Sequence, residues 1–101
     1  MDTLQVIAEP KRRQILALVW DRELTATEIA SQFDVTFGAI SQHLAVLREA
    51  ELVQVRKEGN HRIYRADQDA LGPYRSVLEP MWRETLGTLA SAIETAESEK
   101  K

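Results

Sequence analysis

Apolar residues along the chain fall into blocks with two different periods. Leu4 and Ile7 suggest a short first helix that ends before Glu9. EPKRRQILALVW follows, with Pro10 suited to a first helical position and Glu9 to the positive end of the helix. Its buried face is predicted to be Ile15, Leu16, Leu18 and Val19. In LTATEIASQFDVT, Thr25 and Glu28 have capping-box spacing, and Ala26, Ile29, Ala30 and Phe33 form an i, i+3, i+4, i+7 stripe. After a turn at Asp34-Val35, Thr36 caps another helix whose core face is Ile40, Leu44 and Leu47. Two helices joined by so short a turn predict a helix-turn-helix.

The period then changes to two. Val53 and Val55 alternate with Gln54 and Arg56, and Ile63 and Arg65 alternate with Arg62 and Tyr64, with Gly59-Asn60 between. This predicts a β-hairpin with a basic tip. Leu71, Tyr74, Leu78, Trp82, Leu86, Leu89 and Ile93 return to helical spacing. Gly72-Pro73 is expected to start this last helix and Pro80 to kink or break it. The fold class expected is mainly α with a small β-hairpin, a winged helix-turn-helix that dimerises through its terminal helices. One domain spans residues 1–97, with dimerisation helices at about 2–8 and 70–96, the helix-turn-helix at about 25–50 and the wing at about 52–66; residues 98–101 are a frayed tail.

Composition narrows the function. At 101 residues there is room for one modest core. The absence of cysteine removes disulfides, thiolate metal sites and a cysteine nucleophile, and fits a cytoplasmic setting. No apolar run is long enough to cross a membrane, and the N-terminal segment is not patterned as a signal peptide. With two separated histidines and no Gly-rich phosphate loop, there is no recognisable catalytic set; the expectation is no enzyme, no cofactor and no metal ligands. The net charge of −3 by itself speaks against a polyanion partner. Its distribution changes that picture. Residues 54–66 hold Arg56, Lys57, Arg62 and Arg65 against Glu58 alone, whereas seven acids and four bases lie from Asp67 onward. A basic pole and an acidic tail suit an oriented contact with a polyanion, although clustering by chance gives the same pattern.

The helix after Thr36 carries the candidate chemistry. Opposite its core face lie Gly38 and Gln42, flanked by Phe37 and Ser41. Such residues at the N-terminal end of a recognition helix suit a major groove. Gln42 can pair with adenine and Ser41 with several base edges, and Phe37 can meet a thymine methyl. The free N–H groups after Thr36 can hold a phosphate, and Gly38 permits close approach. His43, on the flank, can serve a phosphate or brace the fold. Lys57, Asn60, His61 and Arg62 at the wing tip would lie along the phosphates. The competing readings are a plain solvated face and a solvated hairpin. Leu4, Ile7, Tyr74, Leu78, Trp82, Leu86 and Leu89 exceed what a small domain is expected to cover, which predicts a two-fold homodimer on a near-palindromic operator in double-stranded DNA. The competing arrangement folds the last helix back onto its own domain.

AEPKRRQIL, ELTATEIA, VTFGAISQHLAVLREAELV and VRKEGNHRIYRAD together resemble the ArsR/SmtB family of bacterial winged-helix repressors along nearly the whole chain. The resemblance implies a homodimer that occupies an operator, often its own, until a signal releases it. It also implies DNA contacts at Thr36, Phe37, Ser41, Gln42 and His43, with Arg12 or Arg13, and Lys57 and Arg62 of the wing, on phosphates. Several departures bear on the signal. Thr25 and Thr27 stand where soft-metal sensors of the family carry Cys-x-Cys, and hydroxyls do not replace thiolates. The last segment has Glu79, Glu84, Glu94 and Glu97 but none of the histidines of zinc and nickel sensors. Gly38 replaces the Pro, Ser or Ala common in the family. VLEPMWRETLGTL is similar to a metal-independent branch in which Trp82 packs at the dimer interface. The implied function is operator occupancy without metal control. Two rivals are a repressor switched by a small molecule near Trp82 and Tyr74, and a winged-helix protein-interaction module that never touches DNA.

Overall fold

A computed structural model describes residues 2–80 and 82. Helix α1 (Thr3–Ala8) starts at Asp2, which forms a capping box with Gln5. Helix α2 (Pro10–Leu18) begins on Glu9, whose carboxylate accepts the Arg12 N–H at 2.9 Å. Strand β1 (Leu24–Thr25) leads directly into helix α3 (Ala26–Ala30). The expected box is present: Thr25 Oγ1 accepts from Glu28 N, and Glu28 Oε1 accepts from Thr25 N. That backbone N–H, followed by the Thr25 side-chain bond, holds the Glu28 carboxyl below its ordinary value. The box is thus kept at lower pH than a free glutamate would allow, and its contribution is lost as pH falls through the lowered value. Helix α3 is shorter than the apolar stripe suggested. Phe33 lies beyond it, held by a tighter bond from its N–H to the Ala30 carbonyl.

Helix α4 (Phe37–Glu49) is capped by Thr36, whose hydroxyl accepts from Ala39 N at 3.1 Å. Its end is a Schellman motif. Leu52 N donates to Leu47 O and Glu51 N to Arg48 O, and Glu51 takes the left-handed conformation at φ 60°. Buried Leu47 and Leu52 supply the apolar contact that accompanies the motif. Strands β2 (Val53–Glu58) and β3 (His61–Ala66) form the hairpin. Gly59 has φ +61° and Asn60 is not left-handed, the pattern of a II′ turn.

The sheet has three strands, not two, in the order β1-β3-β2, all antiparallel. Strand β1 was not anticipated, because two residues give no readable alternation. Register puts Val53 opposite Ala66 and Val55 opposite Tyr64 on the core face. Ile63 lies on the reverse face between Thr25 and Arg56. At the base of the hairpin, Ala66 N donates to Val19 O and Asp67 N to Leu52 O, both at 2.9 Å.

The last segment starts earlier than Gly72-Pro73. Asp67 caps helix α5 (Gln68–Leu71), a 3₁₀ turn covers Gly72–Tyr74, and residues 75–80 are helical. Pro73 sits in the first turn of the 3₁₀ segment, where its missing N–H is harmless. No break precedes Pro80, and Trp82 is also helical. Leu86, Leu89, Ile93 and the frayed tail expected at 98–101 lie outside the described residues.

The core joins Ile15 and Leu16 of α2 and Val19 at its C-cap to Ile29, Ile40, Leu44 and Leu47 of the helix-turn-helix and to Tyr64 of β3. Val6, Ile7, Leu52, Val53, Ala66, Leu71, Leu78 and Trp82 are also part of it. This corrects part of the surplus inferred from sequence. Ile7, Leu78 and Trp82 are covered within the chain itself, Trp82 to 7% exposure. Its indole Nε1 donates to Arg13 O at 3.0 Å, and its ring lies 4.8 Å from that of Trp20, tilted by 60°. As far as Trp82, the last segment therefore packs on its own domain. Of the terminal apolar residues, Leu4 at 54% and Val77 at 40% remain exposed, and Tyr74 is half-buried.

Candidate nucleic-acid interface

Burial of Ile40, Leu44 and Leu47 fixes the rotation of α4. At roughly 100° per residue, the opposite face must carry Gly38, Gln42 and Ala45, with Phe37 and Ser41 beside them. All five are exposed, and Phe37 keeps 53% of its surface in solvent. An aromatic ring at the first turn of a helix, next to two solvent-facing hydrogen-bonding side chains, suits base edges and methyl groups better than water. The Thr36 cap leaves other first-turn N–H groups pointing out of the same helix end.

At Gly38, an added Cβ would meet only Thr36 Oγ1, at 4.0 Å. Nothing inside the fold requires glycine there. Gly38→Ala is therefore expected to raise stability by about 0.5 kcal/mol through helix propensity while weakening binding to DNA. Thermal unfolding and an affinity measurement check both signs. Unchanged or tighter binding would mean that no DNA approaches this position closely.

The wing supplies the positive charge. Lys57 lies opposite Arg62, one step beyond the Val55–Tyr64 pair and on the same face of the hairpin. Both are exposed, and among the described residues neither is in an ion pair. Like charges directly across a ladder are unfavourable without an anion between or beside them. Gly59, Asn60 and His61 are exposed at the tip.

Three expected contacts are placed differently. The Arg12 guanidinium donates from Nε to Val6 O at 2.7 Å and from Nη2 to Gln5 O at 3.5 Å. Arg13 Nη1 donates to Ile7 O at 3.0 Å and Ala8 O at 2.7 Å. Both arginines thus satisfy carbonyls at the end of α1 and join it to α2, a role within the fold beside the phosphate contact expected of them. His43 is half-buried, with Nδ1 3.9 Å from Glu9 Oε2. Of its two readings, bracing α4 against the start of α2 matches this position. Arg56 carries two carboxylates: Nε donates to Glu23 at 2.8 Å and Nη1 to Glu58 at 2.6 Å. These bonds, Glu58 first, raise its pKa further, so it is permanently charged but locally compensated. The spacing of Arg56 and Glu58 on one strand face was readable in advance; the approach of Glu23 was not.

A helix-turn-helix with an exposed polar and aromatic face, followed by a cationic hairpin, defines a winged helix-turn-helix of the DNA-binding class. Residues 9–55 match the family described as Bacterial regulatory protein, arsR family. The HTH-type transcriptional regulator Rv2034 of Mycobacterium tuberculosis is 34% identical over 91 residues, covering 90% of this chain and 85% of that protein. The transcriptional repressor SdpR of Bacillus subtilis is 33% identical over 63 residues, 62% of this chain and 70% of that one. The crystal structure of a possible transcriptional regulator for arsenical resistance superposes with a TM-score of 0.70 at 40% identity, covering 91% of this chain and 96% of that one. The chain belongs to the ArsR family of DNA-binding transcriptional regulators, which are not enzymes. Regulators of this family bind operators and typically form dimers. Among the described residues no helix is long and apolar enough to cross a membrane.

Proposed function

We propose that this protein is a homodimeric cytoplasmic repressor that occupies a near-palindromic operator and blocks transcription sterically, without metal control. The observation that carries DNA reading is the pairing of two surfaces. The N-terminal half of α4 exposes Phe37, Gly38, Ser41 and Gln42, and the wing sets Lys57 opposite Arg62. Dimerisation draws support from Leu4 and Val77, apolar and exposed on the terminal helical segments. A two-fold dimer would present its recognition helices about 34 Å apart, one turn of DNA. Metal independence draws support from Thr25: its hydroxyl is engaged in the α3 cap, and Thr27 has no thiolate to offer.

The test is anisotropy of the protein with DNA from upstream of its own gene and with a scrambled duplex, across salt, with and without EDTA. Preferential binding that strengthens at low salt and ignores EDTA is expected. Equal weak binding to both duplexes counts against autorepression; release by EDTA counts against metal independence; no binding at low salt would favour a protein-interaction module. On the preferred duplex, Gln42→Ala should cost about 1–3 kcal/mol, with little change on random DNA. Equal losses on both would remove Gln42 from base readout.

One observation favours a second reading, a ligand-switched repressor. An open cleft of about 570 Å³ lies between the end of α4 and the 3₁₀ turn, with Arg48, Glu51, Asp67 and Tyr74 among its lining residues. A small polar molecule held there would touch both the recognition helix and the segment leading to the terminal helix. A change in Trp20 and Trp82 fluorescence, together with loss of operator binding, across a metabolite panel would support it. A flat response would leave simple operator occupancy.

A further inference from the structure

Arg56 is the first cation of the basic wing, yet its surroundings differ from those of Lys57 and Arg62. Alternation along β2 puts Arg56 and Glu58 on the reverse face of the hairpin, away from the Lys57–Arg62 pair. The sheet order β1-β3-β2 makes β2 an edge strand, linked to β1 only through β3. Arg56 spans that gap. Its Nε bonds Glu23, the residue just before β1 and 33 positions away in sequence, while Nη1 holds Glu58 nearer the tip. One guanidinium thus joins the far edge of the sheet to the outer end of the hairpin.

The hairpin needs such a tie. A two-stranded ribbon is marginal by itself, and Lys57 facing Arg62 pushes its strands apart near the tip. Isolated surface ion pairs contribute little, but a planar guanidinium shared by two carboxylates is the geometry in which they contribute most.

We propose that Arg56 is not a phosphate contact but a positioning residue: with Glu23 and Glu58 it clamps β2 across β3 and holds Lys57 and Arg62 in the arrangement that meets the DNA backbone. The clamp preorganises the wing, so its loss lowers affinity without removing a contact.

The sign of one substitution separates the two roles. If Glu23 merely sat near DNA, Glu23→Gln would remove a repelling charge and tighten binding. As part of the clamp, it should weaken binding. The probe is a duplex enriched from a randomised pool by the wild-type protein, titrated across a salt series. Glu23→Gln and Arg56→Gln should each weaken binding about three- to fivefold, and the double variant no more than Arg56→Gln alone. The slope of log affinity against log salt should stay at the wild-type value, whereas a lost phosphate contact would lower it by about 0.9. Arg56→Lys should restore only part of the loss, because an ammonium cannot fork between two carboxylates. In the free protein, amides of residues 57–62 should exchange faster in Glu23→Gln. These residues are on the surface, so the variants should fold, which circular dichroism checks. Tighter or unchanged binding by Glu23→Gln, or a slope reduced by about 0.9 in Arg56→Gln, would overturn the clamp.

Discussion

Replacing Lys57 and Arg62 together by alanine should weaken binding about 30-fold near physiological salt, and by the same factor on every duplex. Each lysine or arginine on a phosphate releases about 0.9 of a counterion, worth about 1 kcal/mol near 0.15 M salt. Two such contacts multiply to that factor, and the salt slope should fall by about 1.8. The free protein should not suffer. Because the two cations face each other across the ladder, removing them relieves a repulsion of about 0.2–1 kcal/mol. Weaker binding beside unchanged or raised thermal stability is the expected pair of results. A loss confined to one sequence, or an unaltered slope, would show that these side chains do not lie on phosphates.

Trp82→Ala should cost about 3–5 kcal/mol of folding stability, a large part of the roughly 5–15 kcal/mol typical of a domain. The indole is 7% exposed, contacts Trp20 at 4.8 Å and donates to Arg13 O. Its removal leaves a cavity at the junction of α2 and the terminal helix. It also forfeits an aromatic pair worth about 0.5–1.5 kcal/mol beyond its area. Trp82→Phe keeps most of the packing and loses the Nε1 donor, so about 1 kcal/mol is expected. Urea unfolding measures both. The resemblance placed Trp82 at a dimer interface, and the two placements make different predictions. As a residue of its own domain's core, its truncation should shift the midpoint equally at all protein concentrations. A loss below 1 kcal/mol, or one that grows on dilution, would return it to the interface.

The parts of the site that were legible in advance are those set within a few residues. Thr36 caps α4 because its hydroxyl reaches an N–H three residues on, and Thr25 with Glu28 does the same for α3. The stripe of Ile40, Leu44 and Leu47 rotates α4 so that Phe37, Ser41 and Gln42 must face out. Gly59 supplies the left-handed residue that a two-residue hairpin demands. The arginines were not legible. Arg12, Arg13, Arg56 and Arg62 are alike in the sequence, and each is basic at a plausible distance from a DNA-reading helix. Two satisfy carbonyls of α1, one bonds carboxylates before β1 and at the end of β2, and Arg62 is exposed with no ion pair among the described residues.

The same division holds for the fold. The sequence alone determined the order of helices, turn and wing, the inward face of α4 and membership of the ArsR family. Helical periodicity, caps and turn residues act over three or four positions, so the chain displays them directly. Tertiary structure alone decided that Leu24-Thr25 joins the sheet, that Ile7, Leu78 and Trp82 are covered by their own domain, and which arginines bond groups of their own chain. Those outcomes depend on partners far apart along the chain: Trp82 meets a carbonyl 69 residues away, and Arg56 meets a carboxylate 33 residues away. A long flexible side chain accepts whichever acceptor the packed core brings near, and only the packed core specifies which one that is.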